Sequence, residues 1–436
     1  MISVTPKIVI SLAVAAVGFA PAASAQAQVP AAQGRAITLD EAIELAARNH
    51  PAVIQARGNL EVSEATRLEY YGEYLPSITG TSSFSTNSSS RFDQATQHTI
   101  SNQNQSYSTG FNASLVLFNS LRRSGTGRVT QTNIETAEAG LVDQRFQVVL
   151  QTKQTFFTAL AAEELVAVAE TQIARAESQL RISRDKLNAG SAIRSDTLRS
   201  FVELSNARLQ LVNALTQRAT AAANLARLVG SDEPVVATGG EAELALVSVD
   251  TTELRLEAMS NSPAIQQAEA QIRLADAQIT QSRAGYFPRV TASYSQSWAG
   301  AQVSSLANTW SARLSLSWPI FNGFTRELGM TQSRIQSTTA TAEAEDRRRQ
   351  ISAQLTQQLA ALESARIRLD IAQASHAAAE EDLRVQQERY RLGASTIIDV
   401  LASQVSLDQA EVDIVQSRLD YSLAKAEIEA LIGREI

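Results

Sequence analysis

The chain has 436 residues, no cysteine, three histidines and a formal net charge of −7. Without cysteine it forms no disulfides or thiolate metal sites, and it cannot carry a lipid on an N-terminal cysteine. Its acidic balance argues against nucleic acid as a partner, since phosphate binding needs a basic surface.

The N-terminus carries one early charge, Lys7, then an apolar run from Ile8 to Ala20 and the small-residue sequence Ala23-Ser24-Ala25. That pattern predicts a secretory signal peptide over residues 1–25, with Gln26 as the new terminus. The run is too short to span a bilayer, which takes roughly 20 apolar residues. No later run is long enough either, so the processed chain is expected to be exported and either soluble or inserted as a β-barrel. Removing Lys7 leaves 37 basic against 45 acidic residues, a charge of −8. His50, His98 and His376 are far apart, whereas metal ligands come closely spaced, so neither a metal nor a cofactor is expected.

The pattern next predicts a helix over about Leu39–Tyr74, broken near Pro51, because proline removes an amide donor and biases its predecessor away from helix. Strands follow over about 77–118, joined by a polar connection from Asn87 to Gln105. A proline-free helix from Ser124 to Asn188 is then about 100 Å long at 1.5 Å per residue. It turns at Gly190 and returns as a helix to Gly230, which closes a first structural repeat over 26–230. A linker spans 231–250. The second repeat, 251–436, has a helix over Thr252–Tyr286 broken near Pro263, strands over about 289–321 with a connection at Ala299–Asn308, a long helix Thr325–Leu392, and a return from Gly393 to Gly433.

The two halves are copies. Pro51 and Pro263 lie 212 positions apart, as do Pro76 and Pro288. Beyond the strand connection the offset becomes 203, and it holds for Phe118-Asn119 with Phe321-Asn322, Gly190 with Gly393 and Asp196 with Asp399. Alanine-rich helices that were alike by chance would not keep Pro, Gly, Asp and Phe-Asn in register, so the chain is a duplication.

The strands alternate with period two. Tyr107, Thr109, Phe111, Ala113, Leu115 and Leu117 oppose Ser108, Gly110, Asn112 and Ser114; Trp310, Ala312, Leu314, Leu316 and Trp318 oppose Ser311, Arg313, Ser315 and Ser317. An apolar face backed by a Ser/Thr/Asn face suits a barrel wall with lipid outside and water inside. A soluble β-sandwich edge is the competing reading. Tyr107, Trp298, Trp310 and Trp318 lie near the predicted strand ends, where aromatic residues mark a membrane interface. Four strands cannot close a membrane barrel, which needs about eight at least, so subunits must share them.

The return helices repeat every seven residues. Val400, Leu407, Ile414, Tyr421 and Ile428 mark one seam position, with Ala410, Ser417, Ala424 and Leu431 at the other. The first half has Leu204, Leu211 and Leu225, interrupted by Arg218, with Ala207, Ala214, Ala221 and Leu228 beside them. Large residues at one position and small at the other predict closely packed coiled-coil helices.

Taken in order and occurring twice, the Asn-x-Pro helix, the Tyr-x-Pro lead into the strands, the Phe-Asn at their end and the Gly-x5-Asp hairpin tip resemble the TolC family. The resemblance covers about Ile37 to Ile436. It implies a homotrimer whose subunits each give four strands to a twelve-stranded barrel in outer-membrane lipid and their helices to a periplasmic α-helical tunnel. It further implies a passive, non-enzymatic exit duct that meets a periplasmic adaptor (membrane fusion protein) and an inner-membrane pump. That pump is either an ABC transporter, as in type I protein secretion, or a proton-driven transporter, as in small-molecule efflux. Gly190, Ser191 and Arg194 on one tip and Gly393, Ser395 and Thr396 on the other would meet the adaptor. Asp399, Tyr390 and Asp196 would form the periplasmic gate. Two departures stand out: Ala402 replaces a second ring aspartate, and Ser395 replaces a tip arginine of some members. Asp196 and Asp399 could equally serve as caps of the returning helices, where aspartate is favoured.

Overall fold

The computed structural model describes residues 34–93, 97–119, 121–239 and 250–436. The expected signal peptide and positions 240–249 of the expected linker lie outside these described residues. The first repeat comprises β1 (Arg35–Ile37), α1 (Leu39–Asn49), α2 (Pro51–Gly72), β2 (Ser77–Asp93), β3 (His98–Phe118), α3 (Arg122–Asn188) and α4 (Arg194–Val229). After β4 (Val235–Ala237), the second comprises α5 (Thr251–Asn261), α6 (Pro263–Ser282), β5 (Arg289–Gly300), β6 (Ala307–Ser317), α7 (Thr325–Arg391) and α8 (Ile397–Ile432).

The helix breaks have local causes. Thr38 caps α1 by accepting from the Glu41 amide, and Asp40 and Glu41 sit in its first turn, where negative charge is favoured. His50 ends α1 and starts α2, its Nδ1 accepting from the Ala52 amide at 3.3 Å, and Pro51 takes the first helical position, where no amide is needed. Ser262 and Pro263 stand at the same positions between α5 and α6, although Ser262 makes no side-chain cap bond.

One antiparallel sheet runs in the order β2-β3-β5-β6, leaving β2 and β6 as its edges. The register puts Ile78, Ala113, Tyr294 and Ala312 in one row across all four strands. Opposed residues share a face, so the apolar alternation of every strand falls on the same side. The other side is a field of hydroxyls and amides. Ser83 bonds Ser108 at 2.7 Å, Ser295 bonds Ser311 at 2.8 Å, and Ser297 bonds Thr309 at 2.8 Å.

Two features differ from the sequence expectation. The polar segment Asn87–Gln105, expected as a loop, continues as paired strand on both sides of the turn, with Asn87 opposite Asn104 and Asp93 opposite His98. Backbone pairing needs no apolar side chains, so a Ser/Asn/Gln-rich stretch can extend a hairpin already in register. The second feature is the parallel pair β1–β4, which escaped notice because each strand is three residues long. Ile37 and Val235 in that pair are buried against Phe156 of α3 and Leu225 and Val229 of α4.

The helices form two antiparallel hairpins, α3–α4 and α7–α8. Each long arm has 67 residues, about 100 Å. Most of the predicted seam is buried: Leu204, Ala207, Ala214, Ala221, Leu225 and Leu228 in α4, and Val400, Leu407, Ala410, Ser417, Tyr421, Ala424 and Ile428 in α8, while Leu211, Ile414 and Leu431 are half-buried. Arg218, the exception, pairs with Glu163 at 3.6 Å.

The hairpins are joined along α3 and α8 by polar bridges in antiparallel order. Lys153 meets Glu429 at 2.7 Å, Gln154 meets Glu427 at 3.3 Å, and Arg175 meets Asp408 at 2.8 Å and Glu411. Lys153 and Glu429 are both buried, and such a pair loses most of its hydration in exchange for its mutual attraction. Near the sheet, α3 and α6 approach closely. A Cβ on Gly125 would lie 2.7 Å from Gln281 Cα, so only glycine fits.

Candidate functional site

The hairpin tips gather most of the residues singled out from the sequence. Both α3 and α7 end in the same turn. Gly190 and Gly393 have φ of +72° and +76°, a left-handed conformation that L side chains resist. The Ser191 amide reaches back to the Lys186 carbonyl at 2.8 Å, and the Ala394 amide to the Arg389 carbonyl at 2.8 Å. These six-to-one bonds satisfy carbonyls that the helix ends would otherwise orphan. Space plays no part: a Cβ on either glycine would meet nothing within 4 Å.

The second tip starts α8 with a reciprocal cap. Thr396 Oγ1 accepts from the Asp399 amide at 3.3 Å, while the Asp399 carboxylate accepts from the Thr396 amide at 2.9 Å and from the Thr396 hydroxyl at 2.8 Å. Ser395 Oγ adds a further bond to Asp399 at 3.2 Å. The Thr396 amide, then the Thr396 and Ser395 hydroxyls and the Arg389 charge, hold the exposed Asp399 carboxyl below the usual carboxylate range. The first tip lacks this device. Ile193 occupies the cap position of α4 with no side-chain bond, and Asp196 sits in the first turn beyond it. Asp196 therefore favours the start of α4 by its charge and does not cap it.

Tyr390 is buried, 5 % exposed, among Leu383, Ile397, Val400 and Leu407. Burial pushes its hydroxyl pKa up; neighbouring Ser183 opposes this and the charge of Asp196 adds to it. Tyr390 and Asp196, from different hairpins, are thus brought into electrostatic range. Asp399 is engaged with its own cap on the exposed side of the tip.

A residue the sequence reading missed joins the two tips. The Lys186 ammonium lies 4.1 Å from the centre of the Tyr390 ring and also donates to the Tyr390 backbone carbonyl. One cation therefore adds a second bond to a carbonyl in the last turn of α7, which already accepts from the Gly393 amide at 3.1 Å, and covers the face of an aromatic ring. Its signal was present: Lys186 and Arg389 are equivalent across the 203-residue offset, a cation in the last turn of each long helix. Gly190, Ser191, Arg194, Gly393 and Thr396 are exposed and Ser395 is half-buried. Beside them Ile193, Leu392 and Ile398 are also exposed, so each tip presents apolar surface next to polar surface.

Behind the tips, Arg175 stands between Asp408 and Glu411 in a half-buried cluster. Burial raises the pKa of Asp408, with Arg175 opposing, and raises that of Glu203, with the charge of Asp408 adding to it. The cluster sets one guanidinium against three carboxylates.

On the sheet, the aromatic residues form two levels. Tyr107 packs on Phe84 at 4.8 Å, Phe111 lies 6.4 Å from Trp298 and 6.0 Å from Tyr294, and Trp310 stacks on Tyr294 at 6.4 Å. Tyr107 is mid-strand in β3, yet it stands level with Gly300 at the end of β5. Trp318 lies at the opposite end, donating its indole N–H to the Tyr286 carbonyl at 3.2 Å.

Comparison with known proteins agrees with this architecture. The family model described as "Outer membrane efflux protein" matches residues 42–231 and 254–434, one match for each repeat. Among curated proteins, the chain is 24% identical to the outer membrane efflux protein BepC of Brucella suis, over 91% of this chain and 85% of that one. It is 28% identical to protein CyaE of Bordetella pertussis, over 75% and 68% of the two chains. Among solved structures, the CmeC outer membrane channel of Campylobacter jejuni superposes with a TM-score of 0.76 at 17% identity, covering 91% of this chain and 85% of that one.

Proposed function

Since this chain belongs to the outer membrane efflux protein family, we propose that it is the exit duct of a tripartite export system. Three copies close their sheets into a twelve-stranded barrel, and their helical hairpins continue it as a periplasmic tunnel. The tips, with Asp399, Tyr390 and Asp196, form the gate and meet a periplasmic adaptor. An inner-membrane transporter, ABC-type or proton-driven, supplies the energy, so the duct itself conducts passively.

The observation that carries this reading is the single amphipathic sheet with two open edges. Most of its apolar side chains lie on one face, and many are exposed in the isolated chain, including Ile78, Trp310, Leu314 and Leu316. Lipid is the solvent that face requires, and a closed ring of copies is what satisfies the edge strands β2 and β6 within lipid. Membrane fractionation with semi-native electrophoresis tests it. A heat-modifiable trimer in the outer-membrane fraction is expected; a soluble periplasmic monomer would reject the proposal.

A further inference from the structure

The sheet differs in charge from the chain that carries it. The whole chain is acidic, at −7, yet its strands carry no acid from Ser77 to Phe92, from His98 to Phe118 or from Arg289 to Ser317. Along the paired rows of β5 and β6, the polar face holds two charged side chains, both arginines. Arg289 stands opposite Ser317, and Arg313 stands opposite Ser293. Positions 289 and 293 share a face, so the arginines form two stations about 13 Å apart along the strand. Among the described residues, neither forms an ion pair. The edge strand β2 carries one acid, Asp93, at the opposite end of the strand from Ser77, which shares the row of Arg313.

A cavity of about 500 Å³ opens where the sheet meets the helices, lined by Arg289, Ser317, Arg122, Asn119, Gln281 and Phe287 among others, with no acidic residue in its wall. Arg122 is the first residue of α3, so the positive end of a 67-residue helix points into the same place.

On the duct reading above, which puts the polar face inside the barrel, we infer that the barrel end is an anion-attracting vestibule. Arg289 and Arg122 form its ledge and Arg313 its second station. The cargo it passes presents carboxylate or phosphate groups. Threefold symmetry repeats each arginine around a low-dielectric wall, where like charges sum to a potential that attracts anions.

The test uses the full-length protein in planar bilayers under a salt gradient, with tripolyphosphate as the blocking probe on the barrel side. Arg289→Gln with Arg313→Gln should raise the cation-to-anion permeability ratio about three- to tenfold. It should also raise the tripolyphosphate concentration needed for half-block by about tenfold. Arg289→Lys with Arg313→Lys keeps the charge and should behave as wild type, which separates charge from folding. If the wild type conducts and the glutamine variant shifts neither quantity, the vestibule is overturned while the duct stands. If the wild type forms no conducting pore, the duct reading falls and the vestibule with it.

Discussion

Arg123 and Arg326 hold the same junction in the two repeats. They lie 203 positions apart, and each guanidinium stacks on the tyrosine that leads into its repeat's first strand, Arg123 on Tyr74 at 4.5 Å and Arg326 on Tyr286 at 4.3 Å. Each also donates to a carbonyl at the end of the second strand, Val116 for Arg123 and Pro319 for Arg326. One side chain thus ties together the incoming helix, the sheet and the outgoing helix. The planar guanidinium suits this because it can stack and donate sideways at once.

Arg123→Lys should therefore not be conservative. The ammonium keeps the charge but cannot lie flat on Tyr74 while reaching both Val116 and the Glu73 carbonyl. A loss of about 1–3 kcal/mol is expected at each junction, from the cation–π contact and the charge-assisted bonds together. Heat-modifiability on gels should shift to lower temperature for Arg123→Lys and for Arg326→Lys alike. A shift for one and not the other would show that the repeats do not share the load.

Lys186→Met should loosen the tips. Methionine keeps most of the apolar stem over the Tyr390 ring but loses the ammonium and its bond to the Tyr390 carbonyl. The contact joins α3 to the end of α7, so its loss frees the tip of one hairpin from the tip of the other. Single-channel conductance should rise severalfold, with the trimer intact on gels. Unchanged conductance would reduce Lys186 to a packing role.

The legible parts of this protein were those repeated in the sequence or set by local chemistry. Pro51 and Pro263 marked the helix breaks because proline acts on its own backbone. Gly190 and Gly393 marked the turns because a left-handed residue is needed there. The seven-residue seam marked the buried face of α8 from Val400 to Ile428. What was hidden depends on contacts between distant segments. Nothing local to Lys153 announces that Glu429, 276 positions on, will meet it in the core. The β1–β4 pair is too short to carry a period. The hairpin at Asn87–Gln105 lacks the apolar alternation by which strands are read, since its pairing is carried by backbone.

The two roles of Asp399 can be separated by substitution. Thr396→Val removes the hydroxyl half of the cap and leaves the charge; Asp399→Asn removes the charge and leaves an oxygen that accepts from the Thr396 amide. If Asp399 serves a ring of charge, Asp399→Asn should lower cation selectivity in planar bilayers and Thr396→Val should not. If it serves only the cap, both should destabilise the tip, and selectivity should be unmoved by either. The local bonds that lower the Asp399 pKa contribute stability above the unfolded value of about 3.9, lost as pH falls through the folded pKa.

Glu203 should act with the opposite sign. Its pKa is raised, first by burial and then by the charge of Asp408, while Asn206 opposes through a side-chain bond. A carboxyl with a raised folded pKa binds its proton more tightly in the folded state than in the unfolded one. Stability therefore falls as pH rises from the unfolded value of about 4.3 through the folded pKa, and above that the full cost remains. Glu203→Gln removes the ionisation and keeps a group able to bond Asn206. It should stabilise the protein at pH 7.5 by up to about 1 kcal/mol, a modest figure because the side chain is half-exposed and screened. Below about pH 4, where the wild-type carboxyl is protonated in both states, the advantage should vanish. Thermal melts of the two proteins at both pH values check this. A glutamine variant no more stable than wild type at pH 7.5 would mean that Arg175, already shared by Asp408 and Glu411, neutralises the third carboxylate as well.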